Sequence, residues 1–454
     1  MSAIPVIAIF DIGKTNKKLL LFDEHYKIVF EEEKQFEEIK DEDGFPCEDI
    51  IAITSWIKNS FNSLTKNEKY DIKAINFSAY GASFVYLDEL LNVILPLYNY
   101  LKPYPSELKE KFYKEYGGED YIAKQTASPV LGNLNSGMQL YRLKHENRDA
   151  FDKIKYALHL PQYLSFIFTH KLCSEITSIG CHTNLWDFTN NKYHRWVIEE
   201  GIVNLFTPII PSSDHVSFTN NNKNYIAGFG LHDSSAALIP YLISFSEPFI
   251  LISTGTWNIS LNPFNKSELT IDELHQDCLR YLSYKGKPVK ASRLFAGFEH
   301  EQQIKRLSEH FNTPIDNYKT IKYNPEIMRK LNSGKNKTDI NSIKSSAFIK
   351  RDLNTFLNYE EAYNQLISDI INLQVYSIDL VLKDSKVKRI FVDGGFSSNK
   401  IFMTLLAETY SEIGVYATVV PQASALGAAL IIHKHWNKQS IPENLIKLKQ
   451  YGTK

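Results

Sequence analysis

Short apolar runs alternate with longer stretches of helical periodicity along most of the chain, the pattern of an α/β protein whose strands are covered by helices. Residues 7 to 10 and 19 to 22, within "IAIFDIGKTNKKLLLF", predict two strands joined by a turn. "AINFSAYGASFVYLDE" (74 to 89) predicts another strand pair, and "SGMQLYRLKHENRDAF" (136 to 151) one helix. The polar "TNNNKNY" (219 to 225) reads as a loop ahead of a strand ending in "YIAGFG" and a helix "SSAALIPYL". A new section opens at "PFILISTGTWNISLNPF" (248 to 264), and the aperiodic "LNSGKNKTDINSIKSS" (331 to 346) reads as a surface loop. Beyond it Ala362, Leu366, Ile370, Ile371, Val375 and Ile378 recur at helical spacing. A strand "RIFVDGG", a helix after "FSSN", a strand "VYATVV" and a last helix from Ser424 complete the pattern.

The two strand-turn-strand segments are related. Placing "IAIFDIGKTNKKLLLF" beside "FILISTGTWNISLNPF" sets Asp11 opposite Ser253 and Gly13 opposite Gly255 at one constant offset. Both halves of the chain therefore open on the same hairpin. A glycine at such a turn lets the backbone approach a ligand and aim N–H groups at phosphate oxygens, although many hairpins carry glycine only for its backbone freedom. Two such turns in register, each flanked by Thr or Ser hydroxyls, favour phosphate and imply a nucleotide held between two lobes.

Composition changes this picture little. The 454 residues, 43% hydrophobic and 13% aromatic, are enough for two or three cores. With 51 Lys and Arg against 52 Asp and Glu, nothing favours a polyanionic partner such as nucleic acid, so phosphate must be bound locally. "MSAIPVIAIFDIG" has no basic start or small-residue cleavage site, and no apolar stretch is long enough to span a bilayer, so a cytoplasmic protein without a membrane partner is expected. Cys47, Cys173, Cys181 and Cys278, none in a C-x-x-C pair, fit reduced, packed thiols better than a disulfide framework or a zinc site. "EHEQQIKRLSEHF" (299 to 311) is no zinc helix, because His300 and His310 are too far apart.

With these motifs the sequence resembles the FGGY carbohydrate kinases, ATP-dependent sugar and polyol kinases built from two ribonuclease-H-like, actin-like domains with a cleft between them. "FDIGKTNKK" is similar to the family's first phosphate motif and "ISTGTWN" to its second. "VDGGFSSN" with "ASALGAAL" is similar to its adenosine motif, and "GLHDSSAAL" to the segment carrying the catalytic aspartate. "HDSSAAL" followed by "LISTGTWNISL" looks most like the rhamnulokinase branch. Lys14, Lys18 and Gln422 depart from the usual pattern of small or hydroxyl residue, Arg and Glu. The resemblance implies an N-terminal domain over 1–243, with the sugar and the first phosphate motif, and a C-terminal domain over 244–454, with the second phosphate motif and the adenosine pocket.

On this reading Asp233 is the general base that takes the sugar proton, although an Asp opening a helix is also an ordinary N-cap. Asp11 is a suitable outer-shell holder for Mg²⁺, with a turn-capping role as the alternative. Gly13, Thr15 and Lys18 on one hairpin and Thr254, Gly255 and Thr256 on the other surround the ATP phosphates, while Lys17 reads as a solvated turn lysine. Gly394, Gly395 and Asn399 form the adenosine pocket, Asn399 hydrogen-bonding or capping. Ser83 beside Gly81 and Ala82, Tyr98 with Tyr100, and His232 with Asp233 bind the sugar. The partners implied are the sugar and ATP, and a homodimer is compatible. The expected activity is phosphorylation of a ketose such as L-rhamnulose or L-fuculose. A pentulose or polyol kinase (xylulose, glycerol), a non-catalytic sugar-binding regulator and a nucleotide-switched actin- or Hsp70-type protein are the alternatives.

Overall fold

The apolar run Val6–Phe10 has no solvent-accessible surface, which marks a strand covered on both faces. In the computed structural model, which describes residues 3–333, 345–420 and 422–452, it is the centre of a seven-stranded sheet. This strand, β1 (Ile4–Ile12), runs antiparallel to β2 (Lys17–Asp23), and β2 pairs with β3 (Ile28–Lys34). The exposed acids of β3 suit an edge. Helix α1 (Ile50–Thr65) starts where the Asp49 carboxylate accepts the N–H groups of Ile51 and Ala52, and buries Ile50, Ile53, Ile57, Phe61 and Leu64 at helical spacing. It leads into β4 (Tyr70–Ala79), parallel to β1. The sheet is completed by the hairpin β5 (His215–Asn220) and β6 (Lys223–Gly228), and by β7 (Leu231–His232), which lies parallel on β4. Helix α2 (Asp233–Ser244) follows at once.

The second half repeats this order. Strand β8 (Phe249–Thr254) lies between antiparallel β9 (Asn258–Asn262) and parallel β12 (Arg389–Gly394), in a sheet of order β10-β11-β9-β8-β12-β13-β14. Here β10 is Cys278–Leu282, β11 Pro288–Leu294, β13 Gly414–Val419 and β14 Lys447–Tyr451. The two sheets therefore match around β1 and β8, each flanked by an antiparallel strand on one side and a parallel one on the other, while β7 in the first and β10 in the second have no counterpart. The hairpin turns differ by one residue: Ile12 pairs with Lys17, but Thr254 with Asn258. The long helix α3 (Tyr359–Leu382) carries the apolar repeat and meets β9 through a polar ladder. Asn258 donates to Gln374 (2.9 Å), and Gln374 to Ser260 (3.0 Å).

The chain divides into two units: Met1–Ser244 with Arg280–Pro288 and Pro421–Leu445, and Phe245–Leu279 with Val289–Val420 and Ile446–Lys454. Helix α4 (Ala423–Ile431) thus belongs with the first unit although it lies near the end of the chain.

Three local expectations change. The strands at Tyr70–Ala79 and Phe84–Leu87 form, but the second pairs with Tyr156–His159 and not with the first. The segment 136–151 is two helices, because the Asn147 side chain accepts the Ala150 N–H and starts a new turn. The "loop" 219–225 is a tight hairpin whose corner residues Asn221 and Asn222 take positive φ, a conformation asparagine tolerates. Of the expected loop 331–346, residues 331–333 end a helix and 334–344 lie outside the described residues. The four cysteines are buried and unpaired. Among the described residues no helix is long and apolar enough to cross a membrane.

The small residues of "ASALGAAL" and "HDSSAAL" are a packing requirement. A Cβ on Gly427 of α4 would overlap the Ala236 carbonyl of α2, so the two helices touch backbone to backbone. Asn76 of β4 fixes the same helix, donating to the Ala428 carbonyl (2.8 Å). Gly427→Ala must push the helices apart, an overpacking cost of about 1–3 kcal/mol. Calorimetry should show a melting temperature lower by roughly 2–10 °C. Gly395→Ala, whose Cβ would meet nothing within 4 Å, should leave it nearly unchanged. Equal melting of the two variants would refute this close approach.

Candidate functional site

Parallel pairing of β1 and β7 with β4 delivers three chain segments to the same carboxyl edge of the first sheet, where ligands of α/β folds bind. Asp11 stands one residue before the end of β1, paired with Lys18 on β2 and with Ser78 on β4. Its Oδ2 accepts a hydrogen bond from Ser424 Oγ of α4 at 2.7 Å. Burial raises its carboxyl to about 6, and the nearby Asp233 charge adds to the rise while Ser424, Ser78 and Lys18 oppose it. The charge of Asp233 reaching Asp11 places these two acids in one electrostatic environment. Lys18, on the same face, also lies 3.4 Å from Glu33 and 3.7 Å from Glu31.

Asp233 opens α2 with its side chain one-third exposed. Its Oδ1 accepts the Ser234 backbone N–H (2.6 Å) and lies 3.2 Å from His232 Nε2. Desolvation raises its carboxyl to about 6, against the pull of the Ser234 hydrogen bonds. Burial pushes the His232 imidazole down to about 3, so at neutral pH this histidine is neutral and Asp233 is not held ionised by a cation beside it.

In the first turn, Gly13 N–H closes on the Asn16 carbonyl (3.0 Å), Thr15 is exposed and Lys14 pairs with Glu38 (2.9 Å). Lys17 corrects the solvated-lysine expectation. It is buried, ion-paired with Glu48, and donates to the Lys14 carbonyl of the same turn (2.9 Å); the Tyr80 hydroxyl donates to the other Glu48 oxygen. The signal was in the strand alternation, because Lys17 shares a face with Leu19 and Leu21, while Lys18, the cross-strand partner of Asp11, lies on the other face. Gln422, at positive φ, reaches Glu31 (3.3 Å).

The second unit carries the other turn. Gly255 N–H closes on the Trp257 carbonyl (2.9 Å), and Gly255 and Thr256 are exposed. The buried Thr254 hydroxyl is engaged within the fold: it donates to the Asp393 carbonyl (2.5 Å) and accepts the Phe396 N–H (3.0 Å). Gly394 has φ +82, and a Cβ there would overlap the Thr254 carbonyl; Gly395 faces open space. Asn399 both caps and hydrogen-bonds: its Oδ1 accepts the N–H groups of Ile401 and Phe402, and its Nδ2 donates to Tyr363 Oη (2.9 Å). Asp393, unassigned from sequence, is paired in register with Ser253, and burial raises its carboxyl to about 6.

Ser83 and Tyr98 are brought together, Ser83 Oγ donating to the Tyr98 carbonyl (3.2 Å) while Tyr98 Oη donates to Glu42 (2.6 Å). Tyr98 lines a cavity of about 160 Å³ in the first unit with Glu42, Asp43, Lys102, Asn133 and Gln139. The Gln139 amide donates to the Ala82 and Asn133 carbonyls (both 2.7 Å), and its buried Oε1 has no hydrogen-bond partner. Gly81 lies against Cys181 and His232.

The comparisons with known proteins follow this layout. Residues 6–237 match the model of the FGGY family of carbohydrate kinases, N-terminal domain, and residues 246–337 that of the carbohydrate kinase FGGY C-terminal domain. A rhamnulokinase from Halalkalibacterium halodurans is 25% identical over 261 residues, covering 55% of this chain and 54% of the relative; the match thus spans about half the length of such curated relatives. Two crystal structures share the fold. A carbohydrate kinase from Novosphingobium aromaticivorans matches with TM-score 0.77 at 20% identity, over 98% of this chain and 96% of that one. A xylulose kinase from Lactobacillus acidophilus matches with TM-score 0.79 at 16% identity, over 99% and 94%. Because the first family model alone runs from β1 into the helix of Asp233 and takes in half of the sequence, the chain belongs to the FGGY family of carbohydrate kinases.

Proposed function

We propose that this protein is an ATP- and Mg²⁺-dependent kinase that phosphorylates a hydroxyl of a ketose, a deoxy-ketohexose such as L-rhamnulose or L-fuculose being the favoured acceptor. The observation that carries the reading is Asp233: a part-exposed carboxylate at a strand-to-helix junction, raised by desolvation to about 6. That value leaves it ionised at neutral pH yet basic enough to accept a hydroxyl proton in the transition state. His232, neutral and buried beside it, can hydrogen-bond the carboxylate or the sugar without drawing Asp233 into an ion pair.

Phosphate recognition is assigned to Gly13, Thr15 and Lys18 and to Thr254, Gly255 and Thr256, with Thr254 contributing backbone. Gly394, Gly395 and Asn399 are assigned to the adenosine, and Ser83, Tyr98 and His232 to the sugar. Asp11 fits Mg²⁺. It is a hard oxygen donor at the carboxyl edge of the sheet, raised chiefly by burial and beside a second acid, Asp233, and this ion needs only one or two carboxylates. Bound there, Mg²⁺ supplies charge neutralisation to the transferring phosphoryl group. The rhamnulokinase relative supports the deoxy-ketohexose. A pocket for one methyl group discriminates by only ~1–3 kcal/mol, so related ketoses should also turn over. An ATP-coupled screen over ketoses and polyols tests this, and a preference for glycerol over every ketose would overturn it.

Asp233→Asn keeps the size and the capping oxygen but cannot take a proton. Its kcat should fall on the order of 10²–10⁴-fold with unchanged melting and much less change in sugar affinity. Turnover within a few-fold of the parent would reduce Asp233 to a helix cap. The pH profile gives a second check. Below its pKa the carboxyl is protonated and cannot act as base, so kcat/KM for sugar should be level above about pH 6 and fall as pH drops through it. The residual activity of Asp233→Asn should lack that limb.

A further inference from the structure

The short helix Ile176–Ile179 ends in a loop that brings Cys181 and His182 against His232 of β7. The Cys181 Sγ and one imidazole nitrogen from each histidine lie within 4.8 Å of one another, and all three residues are buried. Hydrogen bonds outside the cluster hold it in place. Glu175 accepts the Thr177 hydroxyl (2.6 Å) and the Thr177 and Ser178 N–H groups, and the Thr177 hydroxyl accepts the His232 N–H (3.0 Å). His182 Nδ1 donates to the Leu134 carbonyl (3.0 Å), and His232 Nδ1 lies 3.3 Å from Ser235 Oγ. A histidine whose Nδ1 donates to a carbonyl, as that of His182 does, is oriented as metal-ligating histidines are. Gly81 opens the space they share. A Cβ there would sit 2.9 Å from Cys181 Sγ and 3.2 Å from His232 Nε2.

We propose that Cys181, His182 and His232 bind a borderline-soft divalent cation of the Zn²⁺ class, with the Asp233 carboxylate, 3.2 Å from His232 Nε2, as fourth donor. One sulfur, two imidazoles and one carboxylate are the donor types zinc takes in tetrahedral sites, whose ligand-to-ligand edges are about 3.3–3.6 Å. The Asp233–His232 separation of 3.2 Å is just under such an edge, and the trio closes on an ion by a movement of about 1 Å. On binding, the Cys181 S–H bond breaks, its proton leaves to solvent and the thiolate sulfur bonds the metal, with no change of oxidation state. One proton therefore leaves the thiol for each cation bound. Occupancy also withdraws Asp233 from the sugar, an inhibitory consequence that rests on its being the base.

The test is titration of the full-length protein with Co²⁺, followed by absorption. One equivalent should give the visible bands of tetrahedral cobalt and a near-ultraviolet thiolate-to-cobalt charge-transfer band, both removed by Zn²⁺. Cys181→Ser should abolish the charge-transfer band and weaken binding at least tenfold, and His182→Gln should weaken binding while keeping the band. An octahedral spectrum without charge transfer in the unmodified protein overturns the site, whatever the variants do, as does a spectrum unchanged in Cys181→Ser. Asp233→Asn separates the two readings. A cobalt–thiolate band together with near-normal turnover in that variant refutes only the base, whereas lost turnover with no such band in the parent refutes only the metal site.

Discussion

The first unit depends on β4 as a common parallel partner. Because β1 and β7 both run alongside it in the same direction, Asp11, the Tyr80–Ser83 segment and Asp233 leave the sheet at one edge. A strand at the centre of such a sheet has no room to shift: Val6–Phe10 are sealed on both faces, and a one-residue slip would turn Asp11 into the core. The backbone contact of α4 on α2 at Gly427 then fixes where Ser424 stands, and so which hydroxyl meets Asp11.

Burial is what makes these acids chemically distinctive. Asp11, Asp233 and Asp393 are all raised to about 6, with desolvation the leading cause in each. Where a cation is buried instead, the fold compensates it fully: Lys17 meets Glu48 and a backbone carbonyl, and Glu48 meets Tyr80 as well. Breaking such a network exposes an uncompensated buried charge, so it also acts as a brace, tying the turn after β1 to the end of β4. The acids lack an equivalent counter-ion: at Asp11 the charge of Lys18 offsets only part of the rise that burial causes.

Duplication of the fold did not duplicate the chemistry. The two sheets share strand order, yet in the first unit the acid is on the central strand beside a serine, Asp11 with Ser78, whereas in the second it is on the neighbouring strand, Ser253 with Asp393. The position across from Ser253, where the first unit has Lys18 across from Asp11, is filled by Ile259. The repeat therefore conserves a backbone platform at two turns while the side chains on it differ.

Much of this was legible in the sequence because it is local. Apolar runs, helical spacing and the turn glycines depend on neighbours a few residues apart, and they gave the strands, the repeat, the motifs and Asp233 at a helix start. The strand alternation even held the clue to Lys17, overlooked because lysine in a turn is usually solvated. What depends on residues far apart in the chain was not legible. Ser424 on Asp11, Glu48 under Lys17, Cys181 and His182 against His232, and the partner of Phe84–Leu87 are set by packing across tens to hundreds of positions. Single-sequence periodicity carries no record of such pairings, since the same alternation satisfies any neighbour that covers an apolar face. The sequence determined which segments are strands and helices and where the glycine turns and the aspartates fall; only the tertiary structure, through burial and the order of strands around β4, decided which of those groups meet and how their proton affinities shift.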